Sequence, residues 1–473
     1  MILLVLVLGA FLTLARISGQ EPPTESPAPS AIVIRDVTVI PMTRTPPIER
    51  AMVIIQGERI TSVGPASEFA APRDARVIDG RGRYLVPGFI EMHAHLSKTR
   101  ASSLGLFVVN GVTTLRDLGG DHEELLQWRR DVRAGRRVGP SLLLAGPYLE
   151  ATRNIERMRK DPPEARIEPF ERTRVAVGSP DEARRIVASL AAKEIDAVKV
   201  RTVQDRETYL ALNEAANEHG LPLVGHVSGI PPQVVLEAGQ DGIEHNFYPS
   251  TESMSREERL VLWRRFAEKG IAVVPTLITL REGAFTPSER LQAIVDDDDG
   301  KLDSRRRYLS KYLIDDWREQ VLEATNERQG LLRNVWESAV RDTREMHEAG
   351  MDVLAGSDVA VLNIFPGFSL HDEMALLVQE IGMSAADVLE GATSRAAKFL
   401  RIADRVGTVE AGKIADLVLL DANPLEDIRN TRQIEAVVLR GTLFDRPALK
   451  KVLVAVETAQ DRRIDDWGRK RGR

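Results

Sequence analysis

Short apolar runs separated by turn residues open the regular part of this chain at Ala31. Within residues 31–63 they alternate apolar and polar positions or run apolar over three or four residues, as strands of a small sheet do. Two runs of the same kind, Ala415–Leu420 and Ile434–Leu439, return near the other end. We therefore predict one small β-sandwich domain built from both terminal segments, residues 31–84 and 401–455.

Between these segments, runs of strand length alternate with stretches of helical periodicity, which is the pattern of repeated βα units. A closed (β/α)8 barrel, an α/β fold of the TIM type, is predicted for residues 85–400 because the runs are eight in number. A charged segment, Arg281–Arg341, separates the last two runs, and we expect mostly solvated helix that partly caps the barrel mouth. The eight predicted strands are Phe89–His95, Val112–Asp117, Ser141–Gly146, Ala197–Val200, Pro222–Val227, Gly242–Asn246, Ile271–Thr276 and Val353–Asp358.

Residues 1–30 have a different character from the rest. Ile2–Ala15 is an almost unbroken apolar run, short for a transmembrane helix and typical of a signal-peptide core. A Pro-rich spacer, Glu21–Ser30, follows it. We expect export to the periplasm or the medium. An uncleaved N-terminal membrane anchor stays open because no Lys or Arg precedes the run, and residues 456–473 are expected to form a polar tail.

Composition narrows the chemistry. A hydrophobic content of 43% over 473 residues supports a folded core, and a net charge of −6 gives no basic excess for binding nucleic acid. The absence of cysteine excludes disulfides, thiolate nucleophiles and thiolate metal ligands. Any bound metal must be held by His, Asp, Glu or a modified side chain.

Titratable residues fall at the ends of several predicted strands. His93 and His95 end the first strand, and the period-two pleat points both imidazoles to the same side, the interior of a closed barrel. Two imidazoles converging there suit a divalent metal better than a packed core. A His-x-His pair alone is a weak signal, so it needs further ligands.

Further candidates end the later strands, each with an ordinary alternative. Lys199, between valines, is a solvent-facing lysine of an edge strand, or a buried amine that becomes a carbamate bridging two cations. His226 and His245 are metal ligands or satisfied core histidines. Asp358 is a catalytic acid at the end of a barrel strand or a helix N-cap.

The run Leu85–His95 resembles the entry motif of the amidohydrolase superfamily, and the order His-x-His, Lys, His, His, Asp resembles its binuclear branch. Leu389–Ala397 and Gly407–Val418 resemble that superfamily's return into its small β-domain. The likeness extends to the prolidase-like dipeptidases and carboxypeptidases. In these, a Gly-Pro segment after the third strand leads into Gly-Gly-His, whereas here Gly146–Asn154 contains no histidine.

The resemblance implies a metal-dependent hydrolase with two divalent ions, zinc being expected. One ion would be held by His93, His95 and Asp358, the second by His226 and His245, with carboxylated Lys199 between them. A hydroxide shared by the ions would attack an amide of a dipeptide or N-acyl amino acid, with Asp358 as the catalytic proton shuttle.

Small molecules or short peptides are the expected partners, and oligomerisation stays open. Tyr248 and Arg201 are candidates for holding a substrate carboxylate, by position. Hydrolysis of a cyclic amide, lactone or organophosphate ester on the same site is the alternative, and a non-catalytic binding barrel is the alternative of another class. Of the other histidines, His371 is a candidate support for the site, whereas His122, His219 and His347 are expected on solvated helix faces.

Overall fold

The computed structural model describes residues 31–160 and 170–461. The predicted signal segment, the spacer and most of the polar tail lie outside these residues. Within them, no helix has both the length and the apolar character needed to cross a membrane.

Strands are concentrated in the first half of the described chain and return near its end. They are β1 (Ile32–Val39), β2 (Ile48–Gln56), β3 (Arg59–Pro65), β4 (Arg76–Asp79), β5 (Tyr84–Pro87), β6 (Phe89–Ala94), β7 (Val112–Asp117), β8 (Ser141–Leu144), β9 (Tyr148–Ala151), β10 (Arg174–Val177), β11 (Val198–Val200), β12 (Leu223–His226), β13 (Gly242–Glu244), β14 (Ala272–Val274), β15 (Leu417–Leu420), β16 (Ile434–Leu439) and β17 (Thr442–Asp445).

The two terminal segments form one sheet, as their patterns predict. Its order is β17-β16-β15-β5-β1-β2-β3, with β4 paired to β1 in parallel. The two segments join where β15 runs antiparallel to β5, with Val418 opposite Val86. Only Gly88 separates β5 from β6, so this sheet leads directly into the strand that carries His93.

Parallel strands make up the rest. β6, β7 and β8 form one sheet, and β10-β9-β11-β12-β13-β14 form a second. Residues 352–359 bond to the edges of both: Leu354 N–H donates to Val273 O at 2.9 Å, and Asp358 N–H donates to His93 O at 2.9 Å. The strands are almost wholly buried, which fits their near-continuous Val, Ile and Leu content.

Two predictions about these strands need correction. The strand predicted at Val353–Asp358 is only a pair of isolated bridges, at Val353 and Val359, because the backbone turns at Asp358. β9 and β10, which were not predicted, belong to the larger sheet. Their alternation is obscured because charged Glu150 and Arg174 occupy buried positions.

Helices connect and cover the parallel strands. They are α1 (Leu96–Thr99), α2 (Leu104–Val109), α3 (His122–Arg133), α4 (Thr152–Lys160), α5 (Phe170–Thr173), α6 (Pro180–Ala191), α7 (Arg206–Glu218), α8 (Pro232–Ala238), α9 (Arg256–Glu268), α10 (Leu277–Phe285), α11 (Ser288–Val295), α12 (Lys311–Leu322), α13 (Asn326–Glu348), α14 (Phe368–Leu376), α15 (Ala385–Gly391), α16 (Ser394–Phe399) and α17 (Arg446–Asp461). α17 crosses the predicted start of the polar tail at residue 456.

The charged segment 281–341 is mostly helical, as expected, and alongside its many exposed residues it contains a buried part. α11 and α12 bury their own apolar cluster, in which Trp317 packs edge-on against Phe365 with ring centroids 5.2 Å apart. Residues 296–299 of this segment are four consecutive aspartates. One of them, Asp297, is buried and accepts the backbone N–H groups of residues 301–303. The charged segment therefore contributes to a small apolar core, which its composition did not predict.

Candidate metal centre

His93, His95 and Asp358 meet at the carboxyl end of β6. Nε2 of His93 lies 3.3 Å from Asp358 Oδ1, and Nε2 of His95 lies 3.0 Å from the same oxygen. His93 is fully buried and Asp358 nearly so. The pleat of β6 thus brings both imidazoles to one side, where they converge on a single carboxylate.

His245 and His226 complete the group from the ends of β13 and β12. The two Nε2 atoms lie 3.2 Å apart, and His245 Nε2 is 3.9 Å from Asp358 Oδ2. Burial lowers the pKa of His93 and of His226 well below the ordinary histidine value. Burial thus favours the neutral form of these two imidazoles, which is the form that binds metal ions.

Lys199, the middle residue of β11, is completely buried. Its Nζ has no hydrogen-bond partner among the described residues. Burial lowers the pKa of Lys199 to about 8, with the charges of Glu244 and Asp358 acting in the opposite direction. Of the two readings left open by the sequence, the structure excludes the solvent-facing lysine.

Three residues of this site have a strained backbone conformation. His245 has φ 70°, Asp358 has φ 53°, and Thr276, which follows β14, has φ 47°. Residues other than glycine rarely adopt this left-handed conformation, and such outliers cluster at functional sites. Thr276 Oγ1 lies 2.7 Å from His245 Nδ1, so Thr276 orients the imidazole of His245.

Glu244 and Arg116 form a buried ion pair beneath His93. Glu244 Oε1 lies 2.7 Å from Arg116 Nη2, and Glu244 Oε2 lies 2.9 Å from His93 Nδ1. Arg116 also donates from Nε to Met92 O, the carbonyl next to His93, at 2.7 Å. Such partners behind a ligating imidazole fix its tautomer and orientation.

Two further residues, Glu91 and Tyr148, help to fix the ligands. Glu91 accepts the backbone N–H groups of His93, at 3.0 Å, and of Ser357, at 2.8 Å. Tyr148 Oη lies 3.0 Å from His95 Nδ1. Sequence reasoning missed Glu91, Arg116, Tyr148, Glu244 and Thr276 as supports. The only signal for the first four was a polar side chain within a strand of otherwise apolar pattern.

Arg201 and Tyr248, the proposed substrate contacts, make hydrogen bonds outside the group of proposed ligands. The Arg201 guanidinium bonds to Glu150 Oε1 at 2.9 Å, and the backbone N–H of Tyr248 donates to Asn246 Oδ1 at 2.9 Å. The charge of Arg201 helps to lower the pKa of His226, which places this side chain near one of the proposed ligands. Their role toward a substrate stays a prediction.

The remaining histidines fall outside the group. His371 is buried and contacts Asn110 O and Thr431 Oγ1, at 3.0 and 2.9 Å, so its contacts lie away from the site. The expectation of a solvated face was wrong for His122, which is buried with Nε2 2.6 Å from Lys193 O. His219 is exposed and His347 is half-buried.

The donor set fits a divalent metal. One ligand atom from each of His93, His245 and Asp358 lies within 4.8 Å of the others. His95 Nε2, 3.0 Å from Asp358 Oδ1, and His226 Nε2, 3.2 Å from His245 Nε2, add two further donors to this group. The buried amine of Lys199 acts on it electrostatically. Nitrogen and carboxylate oxygen donors of this kind are typical of zinc sites.

Comparisons with known proteins show which family and which fold this chain shares. The model of the amidohydrolase family matches residues 84–444. A candidate prolidase from Bifidobacterium longum is 25% identical, with 91% of this chain and 100% of that one covered at a TM-score of 0.69. A Xaa-Pro dipeptidase with bound methionine shares the fold at 21% identity, 88% and 100% coverage, and a TM-score of 0.65.

A curated relative is similar over much of the chain. Adenine deaminase of Desulforamulus reducens is 23% identical over 423 residues, which is 85% of this chain and 55% of the relative. The chain thus spans about half the length of that relative. The family model covers more than half of the chain, every proposed metal ligand lies within it, and the resemblance inferred from the motifs is confirmed. This chain belongs to the amidohydrolase family.

Proposed function

We propose that this protein is a metal-dependent hydrolase that cleaves a C–N bond of dipeptides or N-acyl amino acids. One observation carries the proposal: four imidazoles and Asp358 form one cluster, and the buried amine of Lys199, whose charge acts on three of these imidazoles, has no hydrogen-bond partner among the described residues. A structural core gains nothing from such a cluster, because each unpaired buried polar atom costs free energy. Membership in the amidohydrolase family supports the reaction class.

The residues divide into two sets of ligands. His93, His95 and Asp358 would hold one divalent ion, His226 and His245 a second, and a carboxylated Lys199 would lie between them. Zinc is the metal that these donors favour. When bound, the ions would polarise the substrate carbonyl and lower the pKa of the attacking water.

Asp358 performs the proton transfers in this proposal. Its Oδ1 accepts the proton of the attacking water and delivers it to the leaving amine nitrogen, which departs as a neutral amine. Its position next to His93 and His95, at the carboxyl end of the strands, is the expected place for such a group. Glu91 holds the backbone of His93, and Glu244 Oε2 faces Nδ1 of the His93 imidazole, so both support this ligand during the reaction.

The proposal includes a closed (β/α)8 barrel beside a terminal β-sandwich. Support for closure comes from residues 352–359, which bond to β14 on one side and to β6 on the other. Export, or retention by an uncleaved N-terminal anchor, is proposed from the apolar run Ile2–Ala15. Peptide hydrolysis outside the cytoplasm is the setting that this location implies.

Metal analysis combined with a substrate panel tests the function. Purified protein should contain two divalent ions per chain, lose activity with a chelator and regain it with Zn²⁺. The panel should include Xaa-Pro and other dipeptides, N-acyl amino acids, a cyclic amide, a lactone and an organophosphate ester. Turnover restricted to the last three compounds would replace the proposed substrate class. Absence of both metal and turnover would favour a binding barrel.

A further inference from the structure

Helix α12 of the charged segment contacts the segments that directly follow two of the proposed metal ligands, Asp358 and His95. The loop after Asp358, residues 359–363, lies against one part of it, and α1, which begins directly after His95, lies against another. Asp358 Oδ1 and His95 Nε2 are 3.0 Å apart, so these two loops set the geometry of a single ligand pair.

The contacts with the Asp358 loop are polar and specific. Trp317 donates from Nε1 to Ala360 O at 3.1 Å. Gln320 accepts the backbone N–H of Leu362 at 2.8 Å and reaches Ala360 O with Nε2 at 3.5 Å. Two side chains one turn apart on α12 therefore fix the backbone on both sides of Val361.

This loop needs external support because Asp358, the residue directly before it, has a strained backbone. Asp358 has φ 53°, and Val361 N–H closes a turn onto Asp358 O at 3.2 Å. Strained conformations persist only where the surroundings determine them fully. Trp317 is completely buried and packs on Phe365, so the support is rigid.

The His95 side is held from the same helix. Asp316 Oδ2 lies 3.7 Å from Lys98 Nζ, and Ser310, the N-cap of α12, donates to Thr99 O at 3.4 Å. One helix thus joins the loop after the first ligand strand to the loop after the last ligand segment, which is a connection that no single βα unit supplies.

We propose that Trp317 and Gln320 are positioning residues, which hold Asp358 in the conformation that binds the ion shared with His93 and His95. The inference deepens the proposed function and rests on it. It assigns to the charged insertion the task of aligning Asp358 with His95.

Zn²⁺ titration of the metal-free protein, with Zn²⁺ alone as the probe, tests this role. Trp317→Phe keeps an aromatic ring but removes the donor, and Gln320→Leu keeps most of the bulk but removes the amide. Each should weaken the binding of one of the two Zn²⁺ ions by about 10-fold or more, the scale of lost outer contacts, and leave the other unchanged. On a substrate found in the panel, kcat should fall while KM changes little.

Matched controls lie in the same protein. Gln292→Leu removes an exposed amide of α11 that bonds Asp296, and Trp263→Phe removes a buried Nε1 without a partner among the described residues. Both controls should bind two Zn²⁺ ions like the wild type. Wild-type Zn²⁺ affinities in both Trp317→Phe and Gln320→Leu would overturn the positioning role alone. A wild-type protein that binds no Zn²⁺ would overturn the proposed function and, with it, the inference.

Discussion

Arg116 and Glu244 form an ion pair, 2.7 Å between Nη2 and Oε1, with both side chains buried in the floor of the site. Burying two charges is costly, and well-packed apolar side chains often serve stability as well or better. Here the carboxylate also faces His93 Nδ1. The pair therefore serves the ligand in addition to the fold.

Arg116→Met should destabilise the protein by about 3–5 kcal/mol, because it leaves Glu244 charged and unpaired in the interior. Adding Glu244→Gln should recover part of this loss, since the uncompensated charge is then gone. The double variant should still bind Zn²⁺ about 10-fold to 100-fold more weakly. Urea unfolding and Zn²⁺ titration measure the two effects. A double variant no more stable than Arg116→Met would show that the unpaired charge of Glu244 is not the cause of the lost stability.

Lys199→Ala should lose most of the bound metal and most of the activity, because the bridging carboxylate disappears. Short carboxylic acids such as acetate or propionate should restore part of both by filling the space. Metal analysis and turnover with and without the acid are the measurements. Full activity of the alanine variant without any acid would refute the bridge.

Asp358→Asn keeps the shape and one oxygen ligand but removes the basic site. We expect kcat to fall by at least about 10²-fold, the lower range for a lost general acid–base group, while substrate still binds. Metal content should fall far less than in a His93→Ala or His245→Ala variant. Near-normal kcat with the metals still bound would remove Asp358 from the mechanism.

His371 should make the protein sensitive to acid. Burial, together with the charge of Arg432, lowers the pKa of His371 to about 3 from the ordinary 6.5. The unfolded chain therefore binds a proton that the folded chain refuses, so stability present above pH 6.5 is lost as the pH falls toward 3.

Between pH 7.5 and 5.0, the metal-free wild type should lose about 2 kcal/mol more unfolding free energy than His371→Gln. His219→Gln, which changes an exposed histidine, should follow the wild type. Urea unfolding at the two pH values gives the comparison. Equal losses in the wild type and His371→Gln would show that His371 does not control this acid sensitivity.

The parts of the fold that depend on local pattern could be predicted from the sequence. Runs such as Leu223–His226 are apolar because both faces of a parallel strand are buried, so seven of the eight predicted strands contain a strand of the structure. Residues 353–358 were harder, because their backbone turns at Asp358 instead of pairing regularly. β9 and β10 were missed because a buried charge interrupts their pattern.

The ligand candidates could be predicted for the same reason. Each lies within or at the end of a recognisable apolar run, and a polar residue there has few structural explanations. Their supports could not, because they pair across the fold: Arg116 and Glu244 are 128 positions apart, and Gln320 and Leu362 are 42 apart. Neither the spacing nor the residue types of such pairs predict that the two residues are in contact.

The junction of β15 with β5 sets an order of events during synthesis. A ribosome makes β5 and β6 early, but β15, β16 and β17 emerge only after the whole metal-ligand set has been translated. Until then, β5 has an open edge, and His93 lies on the strand that follows it. The nascent chain must therefore keep that edge from pairing with other chains, and this sheet can be completed only after β15, β16 and β17 have been translated.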